Sequence, residues 1–338
     1  MNAVLKIPVL ESAEIGHAAH SLSVSGFRDL YYEHGALLLR GVAGSEKDYL
    51  AISNRFGVDW FPYRLGNRPA ALAGGLHIQR ANAGKHAMAA HSELCHMPVQ
   101  PDMAWFYCDR APLNGGQTTL YDGAAIASAL TQDLLEFFSG KRLLYLREMS
   151  VDEALRAYNA ASRDALQQMI SDRGWEQYLQ IQGDKLRQEM VVPALPVLED
   201  SKLTVFVNQI VFNAKYRPWL VAMARRVSGP LHKRSLAISL LDRIPVVSQP
   251  GSGLGVPAYP TLEDGTMIPL WVIRALGKII KQMEMKQSWQ KGDILVFDNR
   301  RFMHGRTAVQ DTQRLILTRF GSPIWDSSVG SDTGEAGP

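Results

Sequence analysis

The chain has 338 residues, 46% of them apolar, and its 36 basic and 33 acidic side chains leave a net charge of +3. That apolar content supports a buried core rather than a disordered chain, and without a dense Lys/Arg run interleaved with aromatics nucleic-acid binding has no support. No apolar stretch approaches the roughly 20 residues that cross a bilayer, so no membrane association is expected.

The N-terminus lacks the continuous apolar run of a signal peptide. Two cysteines, Cys95 and Cys108, make no disulfide framework. Free thiols in a reducing cytoplasm are the expected setting.

In chain order, the pattern predicts a helix over 25–34 closed by Gly35, a strand over 36–42, and a second helix over 46–56 ended at Gly57. Residues 58–90 read as a long irregular stretch rich in Arg, His and Asn, and a loop of that length in a compact domain is usually functional. Strands are expected at about 88–94, 102–109 and 117–122, with helix over 133–140. Dense Glu, Arg, Gln and Ala over about 145–200 predict an inserted helical excursion with a solvated charged face. Strand character returns at 202–212, and a Pro-Gly-Ser-Gly turn region opens at 250. Ile273, Leu276, Ile279, Ile280 and Met283 recur at helical spacing and predict a helix over 270–287. Strands at 294–298 and 314–320 follow, and the Gly/Ser/Asp-rich residues 327–338 read as a disordered tail. Residues 1–326 are expected to form one domain, because candidate ligands from its two ends must meet in one site. Many short strands with helices outside them make the fold class mainly β with flanking helices. They argue for a double-stranded β-helix (jelly roll) core, although periodicity alone leaves sandwich and barrel alternatives open.

The chemistry concentrates in two segments. His91-Ser92-Glu93 lies in HSELCHMP, and His304 lies in GDILVFDNRRFMHGRTA. Two histidines and one carboxylate are the ligand set of mononuclear non-haem Fe(II) oxygenases, which leave three coordination positions open. The i,i+2 spacing puts His91 and Glu93 on one face of an extended segment, whereas on a helix it would not. His304 follows the apolar run Ile294–Phe297, bounded by Gly292-Asp293 and Asp298-Asn299. The strand after it carries Arg314 and Arg319. His96 has the wrong spacing for the same face, and Cys95 lies beside the site.

These residues carry a family resemblance. HGALLLRGV (34–42), HSELCHMPVQPDMAWFYCDRAPLNGGQTTLYDG (91–123), LTVFVNQI (203–210), TLEDGTMIP (261–269) and WQKGDILVFDNRRFMHGRTA (289–308) resemble the taurine-dioxygenase/clavaminate-synthase-like family of Fe(II)/2-oxoglutarate-dependent oxygenases. The resemblance implies the jelly-roll fold, a metal held by His91, Glu93 and His304, and 2-oxoglutarate and O₂ as cosubstrates. It further implies that Thr118, after Gly115-Gly116-Gln117, hydrogen-bonds the cosubstrate, and that an Arg fork pairs with its distal carboxylate. Arg314 is the candidate for that pairing, because its strand is otherwise apolar and an inward guanidinium needs an anionic partner. Family members often carry a second Arg four residues later. Here Thr318 stands at that position and Arg319 comes next, on the opposite face from Arg314 by strand alternation. Arg319 therefore either regains the site through a bulge, takes the cosubstrate role itself, or leaves the substrate anion to be read elsewhere.

His-x-Glu in place of His-x-Asp is similar to the amino-acid hydroxylases of that family. It implies hydroxylation of an amino acid or an amino-acid-derived small molecule in natural-product biosynthesis, either free or carrier-protein-bound. The carboxylate ligand also argues against a halogenase. Two alternatives remain: desaturation or a decarboxylative or ring-forming oxidation at the same iron site, and a non-catalytic cupin-like binding protein. Substrate contacts are expected from Tyr63 and Arg64 in FPYRLGNRP, from Asn208 and Gln209 within the 202–212 segment, and from Arg306 on the His304 face.

Overall fold

The computed structural model describes residues 7–11, 22–61, 78–81, 87–158, 160–211, 260–310 and 313–325. Ser23 caps α1 (Val24–His34) by accepting the Gly26 N–H, and Gly35, at φ 70°, closes it by donating its own N–H to Tyr31 O. Ser45 caps α2 (Glu46–Arg55) by accepting from Asp48 N–H. Asp48 Oδ2 in turn accepts from Gly44 N–H and the Ser45 hydroxyl, in the manner of a capping box.

The strands in chain order are β1 (Val9–Glu11), β2 (Ala36–Arg40), β3 (Val58–Trp60), β4 (Gln79–Arg80), β5 (Met88–His91), β6 (Met103–Arg110), β7 (Thr118–Asp122), β8 (Arg142–Ser150), β9 (Leu179–Gln182), β10 (Lys185–Pro193), β11 (Thr261–Leu262), β12 (Met285–Gln287), β13 (Ile294–Asp298), β14 (Phe302–Arg306) and β15 (Leu315–Pro323). The further helices are α3 (Gly123–Ser128), α4 (Gln132–Phe138), α5 (Val151–Tyr158), α6 (Arg163–Asp172) and α7 (Leu270–Gln282). A seven-stranded sheet runs β1-β2-β13-β6-β15-β3, with β4 joined to β15; a four-stranded sheet runs β12-β7-β14-β5, and a second runs β11-β8-β10-β9.

The large sheet and β12-β7-β14-β5 face each other across one core. Leu38, Phe106, Leu295, Phe297, Ile316 and Phe320 come from the first, Leu120 and Phe302 from the second. β13 is buried along its whole length, which is why its sequence shows no polar alternation. On the outer face of the large sheet, Phe27 and Tyr31 of α1 and Tyr49 and Ile52 of α2 pack on Leu37, Leu39, Trp105 and Val296. Each such side chain contributes about 1.5–3 kcal/mol by its burial. Outside the smaller sheet, Tyr121 and Met303 pack with Ile126, Leu134, Phe138, Val272 and Leu276 of α3, α4 and α7. No helix among the described residues is long and apolar enough to cross a membrane.

Four sequence expectations are corrected here. The stretch at 145–200 is not a helical excursion. β8 and β10 pair antiparallel over nine positions, from Lys185↔Ser150 to Pro193↔Arg142, and enclose α5, α6 and β9. Period-2 alternation is present in β10, where Leu186 and Met190 turn inward, but the inward residue between them is the polar Gln188, which hid the pattern. The strand expected over 88–94 ends at His91, and the chain turns through 93–96 with Leu94 at φ 58°. The helix expected over 270–287 ends at Gln282, because Met285–Gln287 is drawn off to pair with β7. The strand expected over 202–212 does not form among the described residues: 203–208 is buried at Val205, Phe206 and Val207, yet within 202–211 the only bridge pairing is Thr204↔Val197. The tail 327–338 and residues 212–259 lie outside the described residues.

Candidate active site

β5 and β14 lie side by side, and their register sets His91 opposite His304. The imidazole centroids are 4.2 Å apart. Glu93 comes from the turn that follows β5 rather than from the strand itself. Its Oε2 lies 3.8 Å from His91 Nε2 and 3.7 Å from His304 Nε2. The three ligand atoms lie within 4.8 Å of one another and all three residues are buried, close enough to share one ion. His91 Nδ1 sits 2.9 Å from Ala89 O, a contact that places the ring proton on Nδ1 and leaves Nε2 as the lone-pair donor. Edge-on contacts from Phe106, at 5.1 Å, and tilted contacts from Phe297, at 5.4 Å, wall the His304 ring.

Asn299 fixes the carboxylate arm, and sequence reasoning read it only as a turn residue. It is fully buried. Its Oδ1 accepts Glu93 N–H at 2.8 Å, and its Nδ2 donates to Glu93 O at 3.0 Å and Pro101 O at 2.8 Å. Ser92 Oγ donates to Asn299 O at 2.6 Å, and Gln100 Nε2 donates to Ser92 Oγ at 2.7 Å. The turn bearing Asn299 is itself tied down: Arg300 reaches Asp298 and Asp200, and Arg301 reaches Asp122. An Asp-Asn pair between two strands signals a turn, but nothing local says that its amide will grip a residue 206 positions away.

Asn299→Ala should leave three buried backbone groups short of a partner, at about 1–3 kcal/mol for an unmade bond. We expect a lower thermal midpoint and weaker iron affinity together, roughly 10- to 100-fold for loss of a ligand-orienting group. Unchanged iron affinity, measured by titration under anaerobic conditions, would remove Asn299 from any orienting role.

A cleft of about 430 Å³, partly open to solvent, is lined by His91, Glu93 and His304 and by Thr118, Arg306 and Arg314. Thr118 and Arg306 are cross-strand partners in β7 and β14. The Thr118 hydroxyl accepts from Trp289 Nε1–H at 3.1 Å. Arg314 is held by donating Nε–H to Gly116 O at 3.1 Å. The turn before Thr118 needs its glycines: Gly115 and Gly116 both have positive φ, and a Cβ at Gly115 would lie 2.0 Å from Ala308 O. A Cβ at Gly116 would crowd Arg314 Cδ at 3.0 Å.

Arg319 is elsewhere. A bulge does occur, between Leu315 and Ile316, but Arg319 still faces away from the cleft. Its guanidinium lies 3.6 Å from the centroid of Trp60 and donates to Ser53 Oγ and Asn54 Oδ1. Burial, unopposed by a carboxylate, lowers its pKa to about 10. Asn208 and Gln209 are buried. The Asn208 amide donates to Ala194 O and accepts Ile210 N–H. Gln209 Nε2 donates to Ser92 O. Tyr63 and Arg64 lie outside the described residues.

A family model described as the taurine catabolism dioxygenase TauD, TfdA family matches residues 15–320. A clavaminate synthase-like protein of Arabidopsis thaliana is 22% identical over 303 residues, covering 86% of this chain and 82% of that protein. The dapdiamide synthesis protein DdaC of Enterobacter agglomerans is 22% identical over 315 residues, covering 89% and 86%. Among solved structures, PvcB of Pseudomonas aeruginosa superposes with a TM-score of 0.53 at 14% identity, over 93% of this chain and 84% of that one. A second structure of PvcB is described as an Fe, alpha-ketoglutarate-dependent oxygenase from an isonitrile synthetic pathway.

Proposed function

The chain belongs to the taurine catabolism dioxygenase TauD, TfdA family, and from that premise we propose that it hydroxylates an amino acid or amino-acid-derived small molecule in natural-product biosynthesis. It is an Fe(II)- and 2-oxoglutarate-dependent dioxygenase. We further propose that its two facing sheets form a double-stranded β-helix, and that His91, Glu93 and His304 hold the metal. The reading rests on one observation: three buried residues able to hold a metal share a single cleft with Thr118, Arg306 and Arg314.

The residues fit a ferrous ion and 2-oxoglutarate. Two imidazole nitrogens and a carboxylate are the donor set of a ferrous oxygenase. The cleft lining has two guanidinium groups against one carboxylate, and a dication would add to that positive excess, so a dianionic 2-oxo acid is the complementary guest. When bound, iron, 2-oxoglutarate and O₂ supply a two-electron oxidant, with 2-oxoglutarate leaving as succinate and CO₂. The chain's own part is positional. Arg314 would pair with the distal carboxylate and Thr118 would donate its hydroxyl proton to it. Phe106, Phe297 and Phe320 keep the ligand side dry, which strengthens those pairings. Arg306, beside Thr118 and on the His304 face, would meet the cosubstrate or the substrate.

Natural-product chemistry is supported by the likeness to DdaC, a dapdiamide synthesis protein, and to PvcB, an oxygenase from an isonitrile synthetic pathway. The test is a screen of amino-acid-derived metabolites, free and carrier-bound, for stimulated succinate release coupled to O₂ uptake. A product one oxygen heavier is expected. A product two hydrogens lighter would replace hydroxylation by desaturation. Absence of any 2-oxoglutarate-dependent succinate would leave the cupin-like binding protein.

A further inference from the structure

Behind the turn that carries Glu93 lies a group of polar side chains that line no part of the cleft. On β8 the residues Leu143, Tyr145 and Met149 face inward and are buried, and Arg147 shares their face. The other basic residues of β8 and β10 have carboxylate partners: Arg142 with Glu263, Lys185 with Glu148, Arg187 with Glu189. The Arg147 side chain alone of them has no hydrogen bond or ion pair among the described residues.

Arg147 acts on the interior. Burial, and then the charge of Arg147, lowers the His96 imidazole to about 4. The His96 ring lies 6.4 Å from that of Tyr145. The Tyr145 hydroxyl accepts Gln209 N–H at 2.9 Å, and Gln209 Nε2 donates to Ser92 O at 3.3 Å, one residue before Glu93. Among the described residues, two buried polar atoms in this group have no hydrogen-bond partner: His96 Nδ1 and Gln209 Oε1. Gln209 is only 2% exposed, so water does not readily satisfy it.

We infer that Arg147, Gln209 and His96 form a recognition site for the free carboxylate and adjacent N–H of an amino-acid-type substrate. This rests on the oxygenase reading above and narrows its substrate. The planar Arg147 fork suits a carboxylate. Gln209 Oε1 can accept only from a donor, which an ammonium or amide N–H supplies. Tyr145 links the two sides, and the Ser92 contact sets the group against the Glu93 turn. A substrate whose carboxyl is tied to a carrier protein as a thioester offers Arg147 no charge. The site therefore selects the free acid.

The test follows thermal denaturation of the full chain with free α-amino acids and N-acyl amino acids, each beside its carboxamide. At least one acid is expected to raise the midpoint, and its carboxamide is not. Arg147→Ala should weaken binding of that acid roughly thirtyfold or more, and Arg147→Lys, which keeps the charge without the fork, should recover part of the loss. If the alanine variant does not fold, the shortfall of the lysine variant against the wild type decides. The inference is overturned if a carboxamide protects as well as its acid, if an acid protects both variants as well as the wild type, or if no acid protects the wild type. Failure of the oxygenase reading would be seen separately, on the wild-type protein, as no visible charge-transfer band with Fe(II) and 2-oxoglutarate under anaerobic conditions.

Discussion

Replacing His91 or His304 with alanine should abolish iron binding. Wild-type protein, purified anaerobically, is expected to bind one Fe(II) per chain and to develop a weak visible band when 2-oxoglutarate is added. The three donor residues are drawn from the end of one strand, the turn after it and the middle of the neighbouring strand, and they are positioned by the β5–β14 register, the His91–Ala89 contact and the Asn299 bond to Glu93. Removing one leaves only two donors, beside a hole the size of an imidazole. The loss should exceed the roughly 10- to 100-fold cost of losing a group that merely orients a ligand. Both rings are buried, so the thermal midpoint of each metal-free variant should be recorded beside the iron titration. If both variants fold and keep wild-type iron stoichiometry and the band, the proposed ligands are wrong.

Arg314→Ala should raise the apparent constant for 2-oxoglutarate by at least tenfold. A charge-assisted pair in a desolvated pocket typically accounts for about 2–5 kcal/mol, or roughly 30-fold to several-thousand-fold in affinity. Thr118→Ala removes a single hydrogen bond to a charged acceptor, about 1.5–3 kcal/mol, and also leaves Trp289 Nε1–H without its acceptor. Arg319→Ala should act differently. It loses its stacking on Trp60 and its bonds to Ser53 and Asn54, so stability should fall while the 2-oxoglutarate constant holds. An unchanged constant in Arg314→Ala together with a large rise in Arg319→Ala would transfer the role to Arg319.

Much of this candidate site is legible in the sequence, for physical reasons that differ by residue. His91, Glu93 and His304 could be singled out because few residue types can ligate a ferrous ion, and the two histidines flank apolar strand patterns. The opposite facing of Arg314 and Arg319 followed from strand alternation, and the bulge at Leu315/Ile316 did not undo it. The means by which Glu93 is presented did not follow. An i,i+2 spacing suggests two neighbours on one strand face, but the strand stops at His91, and the carboxylate is presented by a turn with Leu94 in a left-handed conformation.

Local chemistry determined the element types along most of the chain. Serine caps, a left-handed glycine after α1 and an unbroken apolar β13 are written in adjacent residues, and each acts within a few positions of itself. Only the tertiary structure decided the rest. Asn299 grips Glu93 from 206 positions away, and Trp289 caps Thr118 from 171. The Arg- and Glu-rich stretch after residue 142 becomes a sheet because β8 and β10 find each other across nine paired positions. Such pairings depend on which backbone groups meet after the chain has crossed the domain. The period-2 pattern of β10 is masked by the polar inward Gln188 and names no partner, so the same residues read as a solvated helix face until the fold brings the second strand alongside.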